Sequence, residues 1–253
     1  GNIHFIDALF TATSAVCVTG LTVIDISKEL TLFGRIVLII LIQIGGLGIM
    51  SISAIVLLFS VSKGSVQDRI RTLEMFNTQN KNIIRSTIKV IFLATFIIEF
   101  AGAISLFTVF NDDSSAKLGE KIFSSLFHSI SSFCNAGFSL YSDSLHRYSN
   151  NITITATVCL LIIFGGIGYP VILTVFFAIK NKITGKRYII DTQTSIVLFT
   201  TFILLLFGFL FIFFNEYHGA LNGLSLREKI LVSIFQSINP RTGGYETIDY
   251  NSM

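Results

Sequence analysis

The sequence predicts an all-α integral membrane chain: parallel span–loop–span repeats, of which these 253 residues hold an incomplete set. Three observations predict it. The chain is 52% hydrophobic and only 13% charged, with 25 Phe and no Trp; an ordinary soluble domain carries about twice that charge share. Long apolar runs alternate with short semi-polar ones. One semi-polar unit recurs three times, at residues 10–21 (FTATSAVCVTGL), 127–138 (FHSISSFCNAGF) and 235–245 (FQSINPRTGGY), each closing on a glycine turn. Anchored on that glycine, Cys17-Val18-Thr19-Gly20-Leu21 aligns with Cys134-Asn135-Ala136-Gly137-Phe138 and with Arg241-Thr242-Gly243-Gly244-Tyr245. The third copy needs a one-residue gap to keep its Phe in register. Spacings of 117 and 107 residues between the glycines are far too long for a solenoid.

Each element follows from local signals. Asp7 is the expected N-cap of a first short helix of about ten residues ending near Val16. That is half of the roughly twenty residues a bilayer crossing needs. After the turn at 18–21 and a polar stretch at 25–31, the first span is expected at 36–59, with Gly45, Gly46 and Gly48 midway and Arg35 snorkelling at its outer end. A basic, partly helical connection at 60–89 leads to a second span at 90–110. An acidic loop with Asp112 and Asp113 precedes the central short helix, near 121–133. One continuous third span is expected over 152–179, carrying Gly165, Gly166 and Gly168 ahead of Pro170. LIQIGGLGIM and LIIFGGIGYP match at every glycine, a second internal echo. A short basic loop and a fourth span at 194–214 follow, and Ser225-Leu226-Arg227-Glu228, a capping-box pattern, opens the third short helix.

Charge gives the topology. The connections 60–89 and 180–191 hold ten Lys/Arg against three Asp/Glu, while the other loops and short segments, Arg35 at the end of the first span aside, hold seven against eleven. The positive-inside rule puts those two connections in the cytoplasm and every glycine turn in the outer half of the membrane. Two spans separate successive turns, an even number, so the repeats are parallel: 1–60, 61–180 and 181–253. The basic residues form no nucleic-acid patch. Cys17, Cys134 and Cys159 have neither disulfide nor zinc spacing and are expected as small buried hydrophobes. Residues 1–9 lack a secretory leader pattern, and the abrupt start suggests a fragment.

Non-helical backbone at membrane depth is tolerated only where it lines water or is buried in protein. Three such turns facing one way are most economically grouped around one pore. Taking a monovalent ion into a low-dielectric interior costs on the order of 20 kcal/mol in an idealised Born estimate. Carbonyl oxygens of an extended turn can replace the lost hydration shell. Glycine permits the positive φ that turns successive carbonyls inward, and each short helix aims its partly negative C-terminal end at the membrane centre. Neutral side chains around hard backbone oxygens suit an alkali cation.

The order short helix, VTGL or NAGF turn, span, span resembles the Ktr/Trk/HKT potassium-transporter superfamily, closest to its KtrB-type membrane subunit. FIDALFTATSA, VTGL, LIQIGGLG, SLFHSIS, NAGFSL and FQSINPRTGGY carry the resemblance over nearly the whole chain. It implies four repeats around a pseudo-fourfold potassium pathway. The filter would be formed by the backbone carbonyls of Val18, Thr19, Gly20 and Leu21, of Asn135, Ala136, Gly137 and Phe138, and of Thr242, Gly243, Gly244 and Tyr245. It further implies K+ as cargo by passive or Na+-linked uptake, a plasma-membrane location and a homodimer of membrane subunits. A cytosolic nucleotide-binding ring subunit would dock on the basic 60–89 connection, so that nucleotide acts only through a partner. Gly243 stands where the family commonly has alanine. Against the family pattern the chain lacks the first outer span, the third inner span with its gating loop, and the fourth repeat. Three turns of four should not complete a filter.

Single residues have blander readings. The two glycine triplets are expected to permit close helix packing. Glu99, inside a span, should bond a neighbouring helix from one helix away from the turns; His128 should be a satisfied polar group rather than a proton relay; Arg241 should anchor its loop. A secondary transporter of a small polar solute built on broken helices is the rival class, but it prefers inverted repeats. A membrane enzyme would need clustered His, Asp or Ser within a span, and only Glu99 is there.

Overall fold

The computed structural model describes residues 3–61, 81–111, 117–185, 190–241 and 243–247. Among these there is helix, turn and loop, and no strand. The first short helix, α1 (Phe5–Val16), is capped by extended His4 rather than Asp7. The apolar run begins the helix two residues before Asp7, leaving that carboxylate in the first turn, where the helix dipole still favours it. A four-residue turn of helix, α2 (Ile26–Glu29), is capped by Asp25, whose Oδ1 accepts from Ser27 N–H at 2.9 Å. Arg35 does more than snorkel: its guanidinium folds back onto this turn, donating to Leu30 O at 3.1 Å and Ser27 O at 2.6 Å.

The long α3 (Leu32–Val61) contains the first expected span, and α4 (Lys81–Phe110) begins nine residues ahead of the second. The central short helix is α5 (Leu118–Phe133). The third expected span is not continuous. It divides into α6 (Ile152–Ile167) and α7 (Tyr169–Ile183), bent by 109°. Gly168 breaks it with φ +90° and ψ 145°, a conformation nearly reserved for glycine, and Pro170 two residues later cannot donate the next helical hydrogen bond. The fourth span is α8 (Thr192–Asn215), started by Asp191, which accepts from Thr194 N–H. The third short helix, α9 (Leu226–Ile238), has its reciprocal capping box: Ser225 Oγ accepts from Glu228 N–H at 3.3 Å and Glu228 accepts from Ser225 N–H at 2.9 Å.

Lys89–Phe110 and Thr192–Asn215 are long and apolar enough to cross a membrane, and the bent pair would make a third span. The α3 stretch Leu32–Gly48 is apolar too. Most of the basic 60–89 connection, Asp112 and Asp113, and Lys186 and Arg187 lie outside the described residues. α8 displays Phe199, Phe202, Phe207, Phe211 and Phe214 outward, as lipid rather than water would allow.

Two apolar cores lock the short helices to the spans. Ala15, Leu38, Ile42, Phe127, Cys134, Ala136 and Phe138 join the first turn to the second. Leu106, Phe110, Ile154, Val158, Ile162, Phe235, Ile238 and Tyr245 join the second to the third. Of the aligned aromatics, Phe127 and Phe235 are buried, whereas Phe10 is 42% exposed. Cys134 and Cys159 are buried, but Cys17 is exposed, contrary to its sequence reading; no described helix covers it as Gly46 and Glu99 cover Cys134.

Candidate functional site

The first two turns repeat one hydrogen-bond pattern residue for residue. Cys17 N–H donates to Thr13 O and Cys134 N–H to Ile130 O; Val18 N–H donates to Ala15 O and Asn135 N–H to Ser132 O; Thr19 N–H donates to Ser14 O and Ala136 N–H to Ser131 O. Each helix thus ends by using the turn's N–H groups on its own orphan carbonyls. Val18 and Asn135 sit at φ 55° and 59°, and the glycines two residues on, Gly20 and Gly137, at 81° and 69°. In the third copy Gly244 has φ 69°, and Gly243 N–H donates to Asn239 O at 2.7 Å. Thr242 and the Arg241 side chain, including its expected anchoring role, lie outside the described residues.

Because the peptide unit is trans and planar, a carbonyl points opposite to the N–H of the same unit. Thr19 N–H on the α1 end therefore turns Val18 C=O away from α1, and Ala136 N–H likewise turns Asn135 C=O away from α5. Among the described residues, the carbonyl oxygens of Val18, Thr19, Gly20, Asn135, Ala136 and Gly137 accept no hydrogen bond. Those of Phe138 and Tyr245 do, from Ser131 Oγ and Asn239 Nδ2.

The three glycines are brought together. A Cβ on Gly20 would stand 2.6 Å from Ala136 O and 3.5 Å from Gly137 Cα; one on Gly137 would stand 2.7 Å from Gly244 Cα. Gly137 is the middle member, touching both others, and all three line one cleft of about 270 Å³ with Thr22, Asp25 and Glu246. Asp25 is held below the usual carboxylate range, first by the Ser27 hydroxyl and then by Lys28, whose Nζ stands 3.1 Å from Oδ2, so an ion pair sits at the rim of the cleft.

A family model described as "Cation transport protein", TrkH, matches residues 1–253. The chain belongs to the TrkH cation transport family. It is 36% identical over 253 residues to the Ktr system potassium uptake protein B of Bacillus subtilis, covering 99% of this chain and 55% of that protein. It is 37% identical over 252 residues to the potassium/sodium uptake protein NtpJ of Enterococcus hirae, covering 99% and 54%. The chain therefore spans about half the length of the curated relatives it matches. The crystal structure of the potassium transporter TrkH from Vibrio parahaemolyticus superposes with TM-score 0.66 over 94% of this chain and 44% of that one; at 20% identity it speaks for the fold.

In this TrkH-family chain the paired glycines serve close approach, as expected. A Cβ on Gly45 would reach Val16 O at 2.1 Å, and one on Gly165 would reach Phe133 O at 1.8 Å. Each span thus lies against the last carbonyl of the preceding short helix. Gly46 faces Cys134, Gly48 meets nothing within 4 Å among the described residues, and Gly168 serves the bend. Asn135 bridges the second turn to α6 when its amide is oriented to suit its neighbours: Nδ2 then donates to Ile162 O and Oδ1 accepts from Gly166 N–H, both at 3.2 Å. Glu99 does bond a neighbouring helix, accepting from Gln43 Nε2 at 3.1 and 3.2 Å. It also receives a long contact from Cys134 Sγ at 3.9 Å, which puts it directly behind the second turn. His128 is fully buried with both nitrogens occupied: Nδ1 donates to Ser124 O, so Nε2 accepts, from Ser139 Oγ at 3.1 Å. Both nitrogens are engaged in fixed contacts, as a structural role requires.

The sequence reading passed over Ser14, Ser131 and Asn239. Each follows its aligned Phe (Phe10, Phe127, Phe235) by four residues, and each bonds the residue after its turn's glycine: Leu21 N–H, Phe138 O, and both the N–H and O of Tyr245. The signal was visible, but a hydroxyl or amide on a short helix reads as an ordinary polar position until its partner is known.

Proposed function

We propose that this chain supplies three of the four pore segments of a plasma-membrane, multi-pass potassium transporter, and that dehydrated K+ is held there by carbonyl oxygens of the glycine turns. The observation that carries the reading is the contact of Gly137 with both Gly20 and Gly244, beside carbonyls that accept no hydrogen bond among the described residues. Val18, Thr19, Gly20 and Leu21, Asn135, Ala136 and Gly137, and Thr242, Gly243 and Gly244 donate backbone oxygen. Phe138 and Tyr245 pack the turns from behind. The C-terminal ends of α1 and α5 add partial negative charge, which favours a cation. Uptake is passive or Na+-linked, in keeping with the potassium and potassium/sodium uptake named for the relatives. The basic connections 60–89 and 180–191 face the cytoplasm, the 60–89 connection docks a nucleotide-binding ring subunit, and two membrane subunits pair. Parallel turns in mutual contact count against a solute carrier made of inverted repeats.

The test is Gly137→Ser in the whole protein, in cells without other potassium uptake, reading rubidium and sodium uptake. A left-handed φ costs a non-glycine residue roughly 1–2 kcal/mol, and the new Cβ would press on Gly244. We expect K+/Na+ discrimination to fall about tenfold, the equivalent of that strain. An unchanged ratio would remove the assignment.

A further inference from the structure

We infer that Ser14, Ser131 and Asn239 are positioning residues, side-chain clamps that orient the peptide groups around each turn glycine. The inference rests on the filter reading above and adds to it the cause of the carbonyl orientation. Short helices supply backbone bonds only as far as Thr19 and Ala136. Beyond that point the chain leaves the helix, and the glycine peptide would be free to rotate, since glycine tolerates most φ/ψ combinations. A side chain reaching back from the helix removes that freedom.

In the first copy Ser14 Oγ accepts from Leu21 N–H at 3.0 Å. Leu21 N–H and Gly20 C=O belong to one planar unit, so a bond on the helix side commits Gly20 C=O to the opposite side. In the third copy Asn239 Oδ1 accepts from Tyr245 N–H at 3.0 Å and commits Gly244 C=O in the same way. The Asn239 Nδ2 group also takes Tyr245 O. In the second copy the clamp acts one peptide later: Ser131 Oγ donates to Phe138 O at 2.8 Å and turns that carbonyl into the protein. All three clamps are buried, Ser131 completely, so water does not readily replace them. The third copy also explains its own exception. Its helix-to-glycine stretch is one residue shorter, and the longer amide makes from one side chain both kinds of contact that the two serines divide between them.

The consequence is ion selectivity. Loss of a clamp lets a carbonyl rotate, which changes the number and direction of oxygens offered to the ion more than it changes the passage itself. The experiment compares S14A, S14T, S131A and G137S in the whole protein, measuring rubidium and sodium uptake normalised to protein in the membrane. S14A and S131A are each expected to lower the K+/Na+ ratio about fivefold, the equilibrium weight of one ordinary hydrogen bond, and S14T, which keeps the hydroxyl, to restore it. A merely structural role would lower both fluxes in parallel and leave the ratio fixed, and that result overturns the inference. If G137S shifts the ratio while S14A and S131A do not, the clamps fail and the filter reading stands. If G137S has no effect, both fail together. Should S14A not reach the membrane, S131A carries the test, because it leaves every backbone N–H of its turn bonded as before.

Discussion

Val16 and Phe133 each end a short helix with a carbonyl pressed against a glycine, Gly45 and Gly165, where any side chain would have to displace backbone. At such a place neither partner can yield as a flexible side chain would. Gly165→Ala should therefore cost about 1–3 kcal/mol by overpacking. Gly48→Ala, with no described atom within 4 Å of the new methyl, should be neutral or stabilise α3 by up to about 1 kcal/mol. Denaturation midpoints of the two variants in detergent check the pair; equal losses would show that the contact at Phe133 O does not matter. The sequence made the glycine triplets legible as a packing device because spacing alone carries that signal. It could not separate Gly45 from Gly48 or from Gly168, since a pattern records where a glycine stands and not what faces it. Cys17 and Cys134 teach the same point: one residue type at one position of one turn, exposed in the first copy and buried in the second.

Between elements, the most exacting contact is polar. α3 and α4 meet through Gln43 and Glu99, the latter only 3% exposed, with Ser129 of α5 donating to Glu99 O at 2.6 Å. A buried carboxyl group depends on its hydrogen-bond partners, because an unsatisfied one keeps the full desolvation cost. Gln43→Leu is expected to lose about 1–3 kcal/mol by leaving Glu99 without its amide. The double variant Gln43→Leu, Glu99→Leu should be less destabilised than the sum of the two single changes, with a coupling of roughly 0.5–3 kcal/mol. Strict additivity in the same denaturation measurement would mean that the two side chains are neighbours without being partners. Helix identity and order were legible here, since apolar length and the Ser225 capping box are local signals. The division at Gly168 was not, because the 152–179 stretch stays apolar through the break and composition does not register a reversal of direction. The glycine before Pro170 was the available clue, and its φ decided the matter.

At the scale of the molecule, two independent facts bear on orientation. The basic connections alternate with acidic loops along the chain, and the middle glycine turn touches both of the others. Turns that touch lie at one depth, and an even number of spans between them makes all three enter from the same face, where an odd number would bring neighbours in from opposite faces. The parallel arrangement was thus legible from counting, whereas the contact order, Gly137 between the other two, needed the packing of the two apolar cores. What remains is the absolute direction, which charge decides through the positive-inside rule. Asn150, exposed in the loop after the second turn, and Lys182, exposed at the end of α7, are expected on opposite sides. In a Cys17→Ser background, which removes the one exposed thiol among the described residues, Asn150→Cys should react with a membrane-impermeant maleimide in intact cells. Lys182→Cys should react only after permeabilisation. Labelling of both from outside would contradict the span count, and labelling of Lys182→Cys alone would invert the chain, pointing the negative helix ends and the cleft they border toward the cytoplasm.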